Sequence, residues 1–509
     1  MTADTQSVVS SLISNIKNDV AVETNLSELK LVVSALNSSE LKNQSSNIPL
    51  SVIFDCLNSQ NESQIKNGCD VLNLILPTYS SSAVLLKNDV AQPLARCLNH
   101  PHPEVKKMAL RELKRHINGD EMTFFLGNNN RKKTMLSIID CLCDEETSVG
   151  LEATSLLSSL GQSKTGPRVL CQPDIAEVAI EKTKFSDTNR IRLYQALVEI
   201  SLTSGDYLRQ IESQGYFRDL VSCIKTDDVL ANLTILEVIT PLALRWHGFE
   251  FLSRHGIVKF LVDVLATADT HPLKSLFYPG VVRFFGNLGQ KYSQQLASDY
   301  PTVISKIFEM TESIEESIFI TSLETIGMIA YSRSGKNLLM TEPSMSACMK
   351  RVYAAITQVP SDWRVRGLNA LSSIIHVEPS DTKSDFAAVA QAWFEEMGPQ
   401  GFETVSDMAR QPFPDIKCGA LEVLIQLATM KWGQTKIASN QALVDYLLGT
   451  SEEPNSDARA SKLRLLKVLA ESETSPSVFG EDVLNKIKSG ADEVKSNGDA
   501  VVLVDMMSV

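Results

Sequence analysis

The apolar residues of this chain fall into short blocks with helical spacing, and each block is opened by a polar or proline-bearing turn. Val8, Val9, Leu12, Ile13 and Ile16 share one face of a first helix. The turn Asn99-His100-Pro101-His102-Pro103-Glu104 leads into Val105 to Leu110, inside a unit that runs from Leu94 to Ile117. Pro103 suits a first helical turn, where its missing N–H costs nothing, and Glu104 complements the helix dipole. Asp144-Glu145-Glu146 precedes an apolar block from Val149 to Leu160, and Ser186-Asp187-Thr188 precedes one from Ile191 to Ile200. Thr226-Asp227-Asp228, Pro360-Ser361-Asp362 and Pro412-Phe413-Pro414-Asp415 stand before Val229 to Ala243, Val365 to Ile375 and Ile416 to Ala428. Asp, Ser and Pro are the residues that a helix start favours. Nothing alternates with period two, so the pattern predicts an all-α chain.

The blocks repeat. Gly166, Gly205, Gly248, Gly289 and Gly335 each follow an apolar helical stretch, at gaps of 39, 43, 41 and 46 residues. The stretch Gln214-Gly215-Tyr216-Phe217-Arg218-Asp219-Leu220 returns 41 residues later as His255-Gly256-Ile257-Val258-Lys259-Phe260-Leu261. A period of ~40–47 residues marks armadillo and HEAT helical repeats. The expected fold is therefore an armadillo/HEAT-like, right-handed α-solenoid of about 11 repeats over residues 1–488. Residues 489–509 are rich in Gly, Ser and Asp and close on Val501-Val502-Leu503-Val504-Asp505-Met506-Met507. They are expected to form a flexible tail, with a docking peptide as the weaker reading.

Composition narrows the function classes. Aromatics make up only 6% of the 509 residues, and Leu, Ile, Val and Ala carry the core, as helix stacks allow. A net charge of −13 is a poor footprint for nucleic acid, which needs a clustered basic surface. The nine cysteines are scattered through apolar contexts, the pattern of buried thiols in a reducing compartment. Met1 to Gln6 shows neither a basic region nor an apolar core, so no leader is expected, and no apolar run reaches the ~20 residues of a membrane span. The expected location is the cytoplasm, with the nucleus as a second.

Motifs for chemistry are incomplete. Gly161-Gln162-Ser163-Lys164-Thr165-Gly166 opens like a phosphate-binding loop, but Pro167-Arg168 stands where Lys-Ser/Thr is required and no strand precedes it. A repeat turn is the better reading. Cys141 and Cys143 lack a second pair at zinc spacing, and His100 with His102 makes half a metal site in what reads as a solvated turn. No catalytic residue, cofactor or metal is assigned.

The surface that the repeat defines is more informative. In armadillo units the last helix of each repeat lines a concave groove, and positions i and i+4 share its inward face. By register those pairs are Arg111/Arg115, Ser155/Ser159, Gln195/Glu199, Glu237/Pro241, Arg283/Asn287, Glu324/Met328, Asn369/Ser373 and Glu422/Gln426. Nuclear-import armadillo proteins place Trp and Asn at these two positions, and only Asn287 matches, which argues against an import receptor. Glu199, Glu237, Glu324 and Glu422 define a candidate acidic stripe, at even odds with ordinary charged helix faces. The candidate partner-binding residues are Arg111, Arg115, Gln195, Glu199, Glu237, Arg283, Asn287, Glu324, Asn369, Glu422 and Gln426.

One stretch is more specific than periodicity. Leu276-Phe277-Tyr278-Pro279-Gly280-Val281-Val282-Arg283-Phe284-Phe285-Gly286-Asn287-Leu288, then Tyr300-Pro301 and Lys306-Ile307-Phe308-Glu309-Met310, resembles the proteasome non-ATPase regulatory subunit 5 family. Gln411 to Asp415 with Cys418, Ala420 and Leu421, and Trp246-His247-Gly248 through Val258, are similar to it too. The likeness runs from about residue 85 to 480. It implies a non-enzymatic chaperone for assembly of the proteasome regulatory-particle base. Such a protein binds the C-terminal domain of one AAA-ATPase subunit in an assembly intermediate through its concave face, and is absent from the mature particle. It is expected to be a monomer with neither nucleic acid nor membrane as partner. The alternative is a generic armadillo-repeat scaffold or adaptor, which differs only in what it binds.

Overall fold

The computed structural model describes residues 2–45, 48–117, 129–163, 166–224, 228–266, 274–382, 384–449 and 453–496. Among these residues every regular element is a helix, as the spacing predicts. The chain divides into two compact units, residues 1–257 and 258–509.

Each unit is built on a row of long helices packed side by side. In the first these are α1 (Val22–Ser34), α2 (Glu62–Ile75), α3 (Pro103–Arg115), α4 (Thr147–Ser159), α5 (Asp187–Thr203) and α6 (Val229–Ala243). In the second they are α7 (Lys274–Asp299), α8 (Glu316–Tyr331), α9 (Ser361–Ile375), α10 (Pro414–Ala428) and α11 (Ser456–Glu471). Shorter helices connect them and form the second layer. Consecutive row helices run parallel: Arg111 reaches Glu152 and Lys114 reaches Ser155, each 41 residues on. In the second unit Gly286 faces Thr325, and Gly289, one turn later, faces Ile329, one turn later.

The helix starts follow the expected chemistry. Ser186, Asp228 and Asn455 cap α5, α6 and α11 by accepting backbone N–H groups of the first turn. Thr226 and Asp227 lie outside the described residues. The His102 ring accepts the Glu104 N–H and Pro103 fills the first position of α3. That turn is ordered rather than simply solvated, because the His100 ring also bonds the Leu57 carbonyl at 3.1 Å.

The two glycine motifs turn out to be two different turns. Gly215 and Gly256 carry φ of 81° and 69°, the left-handed conformation that ends helices Gly205–Ser213 and Trp246–Arg254. Gly166, Gly248 and Gly335 instead sit under a carbonyl six residues earlier. A Cβ on Gly248 would lie 2.0 Å from the Leu242 oxygen, and one on Gly335 1.9 Å from that of Ile329. Gly433, below Leu427, continues this series. Gly289 does not belong to it, because it lies inside α7 and lets that helix close on α8.

The core is the interior between the layers. Phe284 and Phe285 are both fully buried, with ring centroids 5.5 Å apart in an edge-on pair. Helix Ser475–Ser496 closes the second unit against α11. The expected boundary of the tail at residue 489 falls inside this helix, and 497–509 lie outside the described residues.

Candidate functional site

The exposed face of each row is the candidate surface, and the residues assigned to it by register are exposed or half-buried. Gln195 and Glu199 are exposed, while Tyr194, Ala196, Leu197, Val198 and Ile200 around them are buried. Glu237, Arg283 and Asn369 are exposed in the same way, and Asn287, Glu324, Met328, Glu422 and Gln426 are half-buried. Spacing of i and i+4 on a helix with one packed side produces this pattern.

What register did not reveal is pairing along the row. Arg111 holds Glu152 at 2.6 Å. Glu324 receives Arg366 at 2.5 Å and has Arg283 at 3.8 Å. Glu422 binds Arg464 at 2.7 Å and accepts the Ser461 hydroxyl at 3.3 Å. Each partner lies 39–42 residues away, one repeat along. Neighbouring row helices thus place opposite charges within reach of one another at these points. The acidic stripe is therefore not continuous: Glu324 and Glu422 are matched within the row. Glu199 on α5 and Glu237 on α6 are exposed and make no ion pair among the described residues.

Other candidates are tied down as well. The Arg115 guanidinium clamps Glu112 at 2.6 Å and donates to the carbonyls of Leu76 and Pro77 at 2.9 and 3.2 Å. The Gln426 amide oxygen accepts from His376 Nδ1 at 2.9 Å, and His376 stacks on Tyr331 at 4.0 Å.

The Arg115 contact belongs to a cluster that sequence reasoning missed. Ser81 Oγ lies 2.8 Å from His116 Nδ1, and His116 Nε2 lies 2.8 Å from Glu112 Oε1. The atom types are those of a serine-hydrolase triad. The setting is not: Glu112 and His116 are 5% and 3% exposed, and Arg115 caps the carboxylate. Burial pushes the Glu112 carboxyl up, but hydrogen bonds from His116 and Arg115 outweigh it and hold the group below its usual range. The cluster pins α3 to the preceding turn at Leu76–Thr78 and to helix Ser81–Leu85. The pairs His116/Glu112 and Arg115/Glu112, at i+4 and i+3, are the only signal the sequence held for it.

No helix among the described residues is long and apolar enough to cross a membrane. An open, polar cleft of about 660 Å³ lies beside Arg168, Thr203, Tyr207 and Arg209.

Residues 5–493 match the family model described as proteasome non-ATPase 26S subunit. The chain is similar to the 26S proteasome non-ATPase regulatory subunit 5 of Bos taurus, at 29% identity over 90% of this chain and 91% of that one. The Homo sapiens protein of the same name is 28% identical with the same coverage, and that of Drosophila melanogaster 24% identical over 84% of each chain. Among solved structures, Kap121p bound to Pho4p is similar in fold, with a TM-score of 0.52 at 10% identity over 97% of this chain and 52% of Kap121p. That likeness concerns the helical-repeat architecture alone.

Proposed function

The chain belongs to the proteasome non-ATPase 26S subunit family, and from that premise we propose that it is a non-enzymatic chaperone for assembly of the regulatory-particle base. In this reading it grips the C-terminal domain of an AAA-ATPase subunit through its concave face, to which the row helices are assigned, acts as a monomer in the cytoplasm, and leaves before the particle matures.

The observation that carries the reading is the row face. It is a periodic surface on which Arg111, Glu324 and Glu422 are paired with charges of the neighbouring helix, while Glu199 and Glu237 are exposed and make no ion pair among the described residues. A partner that seats on the row of the first unit meets Arg111 and Glu152 already matched to each other. It finds two unmatched carboxylates on adjacent helices in the first unit, which favour Lys or Arg at one point of the partner. Complementary charge of this kind sets encounter rate and register more than total affinity. Release needs no nucleotide site on the chaperone, only a competing surface that the ATPase binds better. The names of the relatives, regulatory subunits, support a non-catalytic role, as does the locked state of the Ser81–His116–Glu112 cluster.

The test has two parts. Pull-down from cell extract should recover ATPase subunits of the base; recovery of cargo or cytoskeletal proteins alone would favour the adaptor reading. With the purified ATPase domain, the Glu199→Lys/Glu237→Lys variant should associate about ten-fold more slowly at low salt and lose part of its salt dependence. Glu422→Gln, whose charge is already matched by Arg464, should change the rate far less. Equal rates for all three chains would remove Glu199 and Glu237 from the site.

A further inference from the structure

The second unit carries a set of exposed apolar side chains that its own packing does not explain. Leu276 stands in the first turn of α7, Ile314 two residues before α8, Trp363 in the first turn of α9 and Phe413 at the cap of α10. Leu276, Ile314 and Phe413 are 53%, 99% and 60% exposed, and Trp363 is half-buried beneath Arg366. Exposed apolar residues scattered singly need no explanation. These stand within two residues of the starts of four consecutive row helices. Because those helices are parallel and adjacent, their N-terminal ends form one edge of the unit, with rungs about 10 Å apart.

Of the described charges on that edge without an ion pair, three are acidic and one, Arg364, is basic. Its described cations are engaged: Arg351 with Glu312 at 2.5 Å, Arg366 with Glu324, and Lys417 with Glu453 at 2.8 Å. Arg364 donates to the Val359 carbonyl at 2.7 Å. Glu316 and Asp415 are exposed and make no ion pair among the described residues, and Asp362 takes only the hydroxyl of its neighbour Ser361. First-turn acids also steady helix ends, which accounts for their presence. It does not account for Ile314 and Phe413 standing beside them in water.

We propose that this edge is a docking surface for a basic amphipathic helix. A helix advances about 10.5 Å in seven residues, so apolar residues at i, i+7 and i+14 meet successive rungs. Lys and Arg flanking that stripe meet Glu316, Asp362 and Asp415. The proposed edge adjoins the row face at Arg366 but does not involve Glu199 or Glu237, so its test is independent of theirs.

The test uses the full chain and a fluorescein-labelled helical peptide of about 22 residues, long enough for three steps of the ladder. The peptide carries Leu at every seventh position with Lys beside each; its counterpart carries Glu in place of Lys. The parent chain should bind the basic peptide at least about ten-fold more tightly than the acidic one. I314S/F413S should lose about ten-fold or more in affinity, as removal of two anchors predicts. E316Q/D415N should keep the apolar contacts and lose most of the preference for Lys over Glu. All three chains should show the same circular dichroism, since the altered side chains are exposed. The proposal is overturned by failure of the parent to bind the basic peptide, by equal affinity for the two peptides, or by I314S/F413S that binds like the parent. Concentration-dependent self-association that I314S/F413S abolishes would also overturn it, because the occupant would then be a second copy of the chain.

Discussion

Replacing Gly335 by Ala tests the turn that ends row helix α8. The new Cβ would sit 1.9 Å from the Ile329 carbonyl oxygen and 2.9 Å from Ser332 Oγ. Ordinary non-bonded contact is roughly 3.5 Å, so the turn must open by about 1.5 Å. The first contact is with backbone at a helix end, which has no rotamer through which to escape. Comparable overpacking costs ~1–3 kcal/mol. Opening also threatens the cap at Ser332, whose hydroxyl accepts the Gly335 N–H at 3.1 Å and whose loss typically costs ~1 kcal/mol. The expected loss is thus about 3 kcal/mol. Gly398→Ala is the control: Gly398 has φ of 97° with no atom within 4 Å of its Cβ position. Only backbone strain acts there, about 1–2 kcal/mol. Denaturant unfolding followed by tryptophan fluorescence reports on the right region, since Trp363, Trp393 and Trp432 all belong to the second unit. If Gly335→Ala costs no more than Gly398→Ala, the close-approach argument for the glycine series is wrong.

Two further outcomes concern stability. Phe284→Ala and Phe285→Ala should each cost ~3–5 kcal/mol, since both rings are fully buried and a cavity remains in either case; calorimetric melting of the two variants checks this. Lys336 is 2% exposed, donates to the Ile374 carbonyl at 2.6 Å and lies 5.1 Å from the Trp393 ring centre, and burial pulls its pKa down to about 7 from the usual 10.5. The unfolded chain therefore holds this proton up to about pH 10.5 and the folded one releases it near 7, so this group's contribution to stability rises with pH across that window. Lys336→Met should stabilise the chain at pH 7 and flatten its stability profile between pH 7 and 9, below the range in which buried thiols such as Cys69, pushed up by burial to about 12, begin to oppose it. Urea midpoints measured at a series of pH values decide the matter, and an unchanged slope in the variant would refute it.

Local rules written into the chain determined the helices and their period. Ser186, Asp228 and Pro103 begin helices where their backbone chemistry says they should, and Gly215 and Gly256 end them through a left-handed turn. The outward positions of the row were legible for the same reason: a helix with one packed side exposes i and i+4 whatever its neighbours are. Which residues lie on the face was therefore in the sequence. What state they are in was not. Glu324 and Glu422 read as free acids until Arg366 and Arg464 arrive from the next repeat, some 42 residues away, because ion pairing depends on the lateral register of two helices. The buried cluster of Ser81, Glu112 and His116 and the exposed ladder of Leu276, Ile314 and Phe413 are likewise products of packing. Period and capping act within a few residues and can be read along the chain. Charge matching, burial of polar groups and alignment of edges are set by contacts about 40 residues apart, and only the tertiary structure decides them.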